Sequence, residues 1–202
     1  ACQTQVQEGM YVASIPFFPT DKRTYSIEEL KAQLAAGNDV TLAADIVLDK
    51  NDTITIPAGV DATIDLAGHT YTFNKTVGST GTTTLGMQIL KDNDVTIKNG
   101  TLTSVATVEG SKEVKVLIQN YANLTLTDVT VDATNADKWS LTDGDSYAVS
   151  INSGNVAFNG NTSIIANNDG ALAFAFDACQ KETYEIPVIT VNTTGTITDV
   201  GS

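Results

Sequence analysis

The chain has 202 residues, and its 24 acidic against 11 basic side chains give a formal net charge of −13. Arg23 is the only arginine and no basic stripe exists, which excludes a nucleic-acid-binding reading, because phosphate contacts need clustered Lys and Arg. No run approaches the roughly 20 apolar residues of a membrane span, and Cys2 and Cys179, far apart in sequence, form neither a CxxC pair nor a zinc set.

Residues 1–25 carry no repeat. Met10, Tyr11, Val12, Ile15, Phe17 and Phe18 make the segment apolar and aromatic, and Pro16 and Pro19 bracket the aromatic pair. Prolines so placed disfavour both helix and central strand, so an extended arm is expected. Met10, Tyr11, Val12, Ile15, Pro16, Phe17, Phe18 and Pro19 are its candidate partner-anchoring residues; the other expected course is back along the chain's own β structure. Ala1 is the kind of residue left after removal of an initiator Met, although Ala-Cys also ends a lipobox. Thiols outside any disulfide framework fit a reducing compartment, with Cys179 expected in the core beside Phe174 and Phe176.

Residues 26–39 hold the one helix signal and form a capping unit. Ser26 with Glu29 three residues on is a capping box, Gly37 sits where a left-handed C-terminal cap belongs, and Ile27, Leu30 and Leu34 recur at helical spacing. A helix here would lid the strand edges that follow.

Across residues 40–202 one pattern recurs with a period of roughly 30 residues. Its copies are TIDLAGHTYTF from Thr63, VTIKNGTLTSV from Val95, LTLTDVTVDAT from Leu124, VAFNGNTSIIA from Val156 and ITVNTTGTITD from Ile189. Residues two apart on a strand share a face. Ile64, Val95, Leu124, Val156 and Ile189 are therefore expected as one inward row, and Leu66, Ile97, Leu126, Phe158 and Val191 as a second. A third row follows the turn, with Tyr71, Leu102, Val131, Ser163 and Ile197 beside Thr70, Thr101, Thr130, Thr162 and Thr196; Ile164 or Ile165 can replace Ser163 through a local slip. Upstream of the copies lie Ile54 with Ile56, Met87 with Ile89, Val116 with Ile118, and Val149 with Ile151, and before the last copy Leu172, Phe174 and Phe176.

These rows predict an all-β fold: a right-handed, single-stranded parallel β-helix of about five coils with three strands per coil, an N-terminal helical cap and an extended N-terminal arm. A β-sandwich fits less well, because two-residue hairpin turns are missing between most strands and the period is long and nearly constant. The last coil lacks a sequence signal for a second cap, which predicts a homo-oligomer, a trimer being the first expectation.

Insertions are expected after the third strand of each coil, at 74–86, 106–113, 133–146 and 177–187. The third holds the single tryptophan, Trp139, with Asp137, Asp143 and Asp145 around it. A ring flanked by carboxylates is a candidate glycan-binding site or a loop that helps hold calcium, though its spacing is not that of an EF-hand. The plainer alternative is a polar loop pinned by a buried Trp. His69 stands alone in the turn of the first copy, as a turn residue or an isolated base. No cofactor motif and no metal-ligand set is expected.

The stretch VTLAADIVLDKNDTITIPAGVDATIDLAGHTYTF, Val40 to Phe73, resembles the opening of pectate-lyase-like right-handed parallel β-helices, with the Asp-Leu-Ala-Gly-His element at Asp65 to His69. The likeness covers about residues 26–200 and is one of fold. The catalytic arginine of pectate lyases has no counterpart beyond Arg23, and the clustered Asp of polygalacturonases is missing. What the resemblance implies is a non-enzymatic virion component: a bacteriophage head-fibre, capsid-decoration or fibre protein. It would assemble in the host cytoplasm, bind capsid or other virion proteins through its arm, and contact host surface glycans. The rival expectations are a secreted bacterial surface adhesin module and a polysaccharide depolymerase.

Overall fold

In the computed structural model of the chain the described residues are 23–24, 26–47, 54–74, 77–78, 85–105, 116–134, 147–166 and 174–198. Their elements, in order, are β1 (Arg23–Thr24), α1 (Ile27–Ala35), β2 (Val40–Leu42), β3 (Ile46–Val47), β4 (Ile54–Ile56), β5 (Asp61–Asp65), β6 (Thr70–Phe73), β7 (Leu85–Ile89) and β8 (Asp94–Ser104). Then follow β9 (Val116–Asn120), β10 (Asn123–Asp132), β11 (Tyr147–Ile151), β12 (Asn155–Gly160), β13 (Ser163–Ile165), β14 (Phe174–Ala178), β15 (Val188–Thr193) and β16 (Ile197–Thr198).

Among the described residues the fold is an all-β parallel solenoid with one short helix near its N-terminal side. Five strands stack in the order β14-β11-β9-β7-β4, and an eleven-stranded sheet runs along the path β1-β2-β5-β8-β10-β12-β15, with β3, β6, β13 and β16 extending it after the turn. Every ladder between these strands is parallel. Strands joined this way cannot be hairpin partners, since a parallel pair needs a crossover. Here the crossover is the opposite sheet, so alternate residues from both sheets meet in one column.

The number of windings differs from the expectation. Segments 85–104, 116–132 and 147–165 have parallel neighbours on both sides all the way round, and the segments before and after them form the two ends. The solenoid thus amounts to about three complete turns rather than five. Winding 147–165 divides into three strands, β11, β12 and β13, whereas in windings 85–104 and 116–132 the expected second and third segments are continuous as β8 and β10. There Asn99 (φ 60°) and Asp128 (φ 55°) redirect the chain in a left-handed conformation, and the pairing of β8 with β10 skips only that position and resumes in the same register. Asn and Asp enter that region more readily than other side chains that carry a Cβ.

Register corrects several rows. Ile64 pairs with Ile97 and Ala62 with Val95, so the first inward row includes Ala62, and Ile64, with Val40 before it, joins the row Ile97, Leu126, Phe158, Val191. Leu66 lies beyond its strand, fully buried under Gly100, where an added Cβ would come within 2.5 Å of Leu66 Cβ. In β9 the pairing places Ile118 beside Met87 and Asn120 beside Ile89, two residues later than the expected Val116 and Ile118. In the fourth copy Thr162 turns inward; its hydroxyl lies 2.7 Å from the Asn159 carbonyl and accepts the Val129 N–H at 3.4 Å. Ser163 then falls opposite Thr130, and Ile164 takes the buried place beside Val131.

Both ends are distinct. Ser26 and Glu29 close the capping box reciprocally, at 3.1 and 3.2 Å. Gly37 (φ 70°) and Asn38 donate to the Leu34 and Gln33 carbonyls, completing a Schellman stop. Leu30 and Leu34 are buried, and α1 lies against β1, β2 and β4, the first strands of both sheets. The root of the expected arm is itself a strand, since β1 pairs with Thr41 and Leu42 of β2. At the other end Val191, expected inward, is 55% exposed, because no described strand lies beyond it.

Candidate functional site

Each of the three complete windings passes from the five-stranded to the eleven-stranded sheet through a tight polar turn, and parallel stacking sets these turns one above another. The first of them follows β7 at Lys91 and Asp92, with Asp92 at φ 64°; Tyr121 and Ala122 form the next, and Ser153 with Gly154 (φ 81°) a third. Gly154 is required: a Cβ there would overlap the Ala122 carbonyl, and the positive φ disfavours any other residue. Asn93 and Asn120 fasten the stack from within. Asn93 accepts the Val60 N–H at 2.8 Å. Asn120, fully buried, donates to the Ala122 carbonyl at 2.6 Å and the Ser153 carbonyl at 3.3 Å while accepting the Ala122 N–H.

On the outside these turns bound a cleft of about 510 Å³, walled by Asp61, Lys91, Asp92, Asp94, Tyr121, Asn123, Tyr184 and Glu185. Its outer wall corrects the expected position of one insertion. Residues 179–187 follow β14 and precede β15, so they sit between the first and second segments of their winding rather than after the third. Tyr184 is held there by its own N–H to the Lys181 carbonyl and by Gln180 Nε2 donating to its carbonyl at 2.7 Å. Its ring meets that of Tyr121 edge-on at 6.1 Å. Lys91 Nζ lies 5.2 Å from the Tyr184 ring centroid, within cation–π range, and 3.8 Å from Asp92 Oδ1.

Burial pushes the Tyr121 phenol above its ordinary range, against the opposing pull of the Lys181 ammonium. Asp61 and Asn123 share their side chains with the scaffold, accepting the Asp94 and Asn155 N–H groups at 2.9 Å. What remains toward solvent is a set of carboxylates, one ammonium and two phenol rings. Such a surface can accept hydrogen bonds from hydroxyls and stack on an apolar ring face.

His69 belongs to the turn. Asp45 Oδ1 accepts the Thr70 N–H at 2.9 Å and lies 3.3 Å from His69 Nδ1. The Thr70 hydrogen bond chiefly, helped by His69, holds the Asp45 carboxyl below its ordinary value. Cys179, expected in the core, is exposed, with its thiol 3.8 Å from Asn152 Oδ1. The residue stands at the strand's end, past the inward-facing positions.

Two sets of sequence-derived candidates lie outside the described residues: the anchoring set Met10, Tyr11, Val12, Ile15, Pro16, Phe17, Phe18 and Pro19, and the glycan set Trp139, Asp137, Asp143 and Asp145. The sequence reading missed the tyrosine cleft. Its signal was present in the turn clusters KDND, YAN and NSGN, which follow three of the upstream apolar pairs and so stack on one edge. Among the described residues no group of three or more His, Cys, Asp or Glu is placed to hold a metal ion. Comparison of the chain with protein-family models, with curated proteins and with solved structures finds no match.

Proposed function

We propose that this chain is a non-enzymatic structural protein of a virion surface, of the bacteriophage head-fibre or capsid-decoration type. In this reading residues 1–25 anchor it to capsid or other virion proteins, and a right-handed, pectate-lyase-like solenoid of three-segment turns projects from them. The supporting observation is the way the chain enters the fold. β1 joins the edge of the eleven-stranded sheet beside α1, so a hold on the arm is transmitted to a strand already hydrogen-bonded to the first windings. His69, tied to Asp45 in a turn, has a structural task that asks for no chemistry. The Tyr121–Tyr184 cleft is a surface offered to host glycans, and Trp139 with Asp137, Asp143 and Asp145 is a separate candidate contact.

Deleting residues 1–25 should abolish attachment to a particle while circular dichroism still reports the β fold. A truncated protein that attaches as well as the full chain would end this reading. The cleft also favours a secreted adhesin module, which needs the same glycan contact without a particle. Glycan-array binding that depends on Tyr184, by a chain with no affinity for particles, would select that alternative.

A further inference from the structure

We infer that the exposed face at the β15 end of the solenoid is a self-association surface that takes a second copy of this chain about a two-fold axis. Among the described residues β15 is hydrogen-bonded along one side only, to β12, and β14 is the outermost strand of the five-stranded sheet. Among the described residues, four of the five exposed large apolar side chains belong to this last winding, Phe174 (42%), Ile186 (71%), Val188 (57%) and Val191 (55%), and the fifth is Val47. A shallow hollow of about 200 Å³ beside them is lined by Phe174, Phe176 and Ile197. An open strand edge with apolar side chains is a template for pairing.

Charge selects the occupant. β14, β15 and β16 together carry one charged side chain, Asp177, in a chain of net charge −13. Two copies repel each other over most of their surfaces, and this face is where they can approach.

Symmetry selects the geometry. The opposite end is occupied by α1 against β4 and by β1 on β2, so head-to-tail stacking is obstructed. A two-fold axis lying in the end face and crossing the strands brings β15 against β15 and β14 against β14, both antiparallel, and keeps inward faces inward. With the axis at Thr190, Ile189 of each copy stands opposite Val191 of the other, extending the apolar rows across the junction. Such an isologous face closes with two copies, so the assembly is a dimer in place of the trimer expected from the sequence.

Sedimentation equilibrium of the 202-residue chain tests this. The expected species has twice the 21.3 kDa mass of one chain, is concentration-dependent, and tightens as added salt screens the acidic flanks. Val191→Lys sets like charges close together across the axis and should weaken the dimer by at least about tenfold. Phe174→Lys should act similarly and serves if Val191→Lys does not fold, while Val47→Lys at the far end should leave the dimer intact. Hydrogen exchange at Val188–Thr193 should slow as the dimer forms. A chain that stays monomeric at every concentration would overturn the inference. So would a trimer or filament, a dimer indifferent to both folded Lys variants, or a β15 edge equally protected in the monomer, which would mean that another segment of the chain covers it.

Discussion

Leu126 and Val191 occupy the same inward row, and the solenoid assigns them very different energetic weights. Leu126 is fully buried, with Ile97 in register on one side and Phe158 on the other. Leu126→Ala removes three carbons, worth about 0.8 kcal/mol each by transfer. Its neighbours are fixed by ladders on both sides, so the space collapses poorly and a cavity penalty adds to give about 3–4 kcal/mol. Val191→Ala removes two carbons from a side chain that is 55% exposed, which leaves a cost of about 0.7 kcal/mol by the same coefficient. Urea unfolding followed by far-UV circular dichroism, at protein concentrations low enough to keep association out of the measurement, compares the two. The midpoints should separate widely with unchanged m-values. Equal losses, or a loss below about 1 kcal/mol for Leu126→Ala, would refute the assignment of this row to the core.

Three further outcomes are expected. Gly154→Ala forces a Cβ into the Ala122 carbonyl at a positive φ, and should lower the melting temperature by an amount equivalent to about 2–3 kcal/mol. Asn120→Ala leaves the buried Ala122 and Ser153 groups without their side-chain partner; a cost of about 1–3 kcal/mol in urea unfolding should follow. Asp45 has a depressed carboxyl in the fold, so its contribution is present above the ordinary carboxylate value and is lost as pH falls through the folded one. Melting temperatures measured across pH should therefore drop less steeply on acidification in Asp45→Asn than in the parent chain.

The period, the alternation of inward positions within each strand and the helix were legible because each rests on local chemistry. Ser26, Glu29 and Gly37 specify their helix whatever packs on it, and Ile97, Leu126 and Phe158 alternate within their own strands. Register between windings was less legible. A shift of two residues keeps every side chain on its face, so alternation could not distinguish Ile64 beside Val95 from Ile64 beside Ile97; the observed choice depends on Leu66 fitting against Gly100. The unbroken β8 and β10 were hidden for a related reason. The turn residues at Asn99 and Asp128 look like strand breaks in sequence, yet a single left-handed residue bends the chain and the pairing resumes beyond it in the same register. The cleft escaped notice because its two tyrosines lie far apart in the chain, one in a short turn and the other in an insertion assigned to the wrong corner of its winding.

Disulfide trapping tests the parallel, in-register stacking most directly. In a chain with Cys2 and Cys179 replaced by Ser, the pairs Thr96→Cys with Thr125→Cys, and Thr125→Cys with Ala157→Cys, join positions directly opposite in adjacent windings. Neighbouring strands lie about 4.8 Å apart, a separation a disulfide can span. Both pairs should oxidise readily without loss of the β signature, whereas Lys98→Cys with Thr125→Cys, displaced by two residues, should not. Preferential closure of the displaced pair, or failure of both in-register pairs in folded protein, would contradict the stacked solenoid.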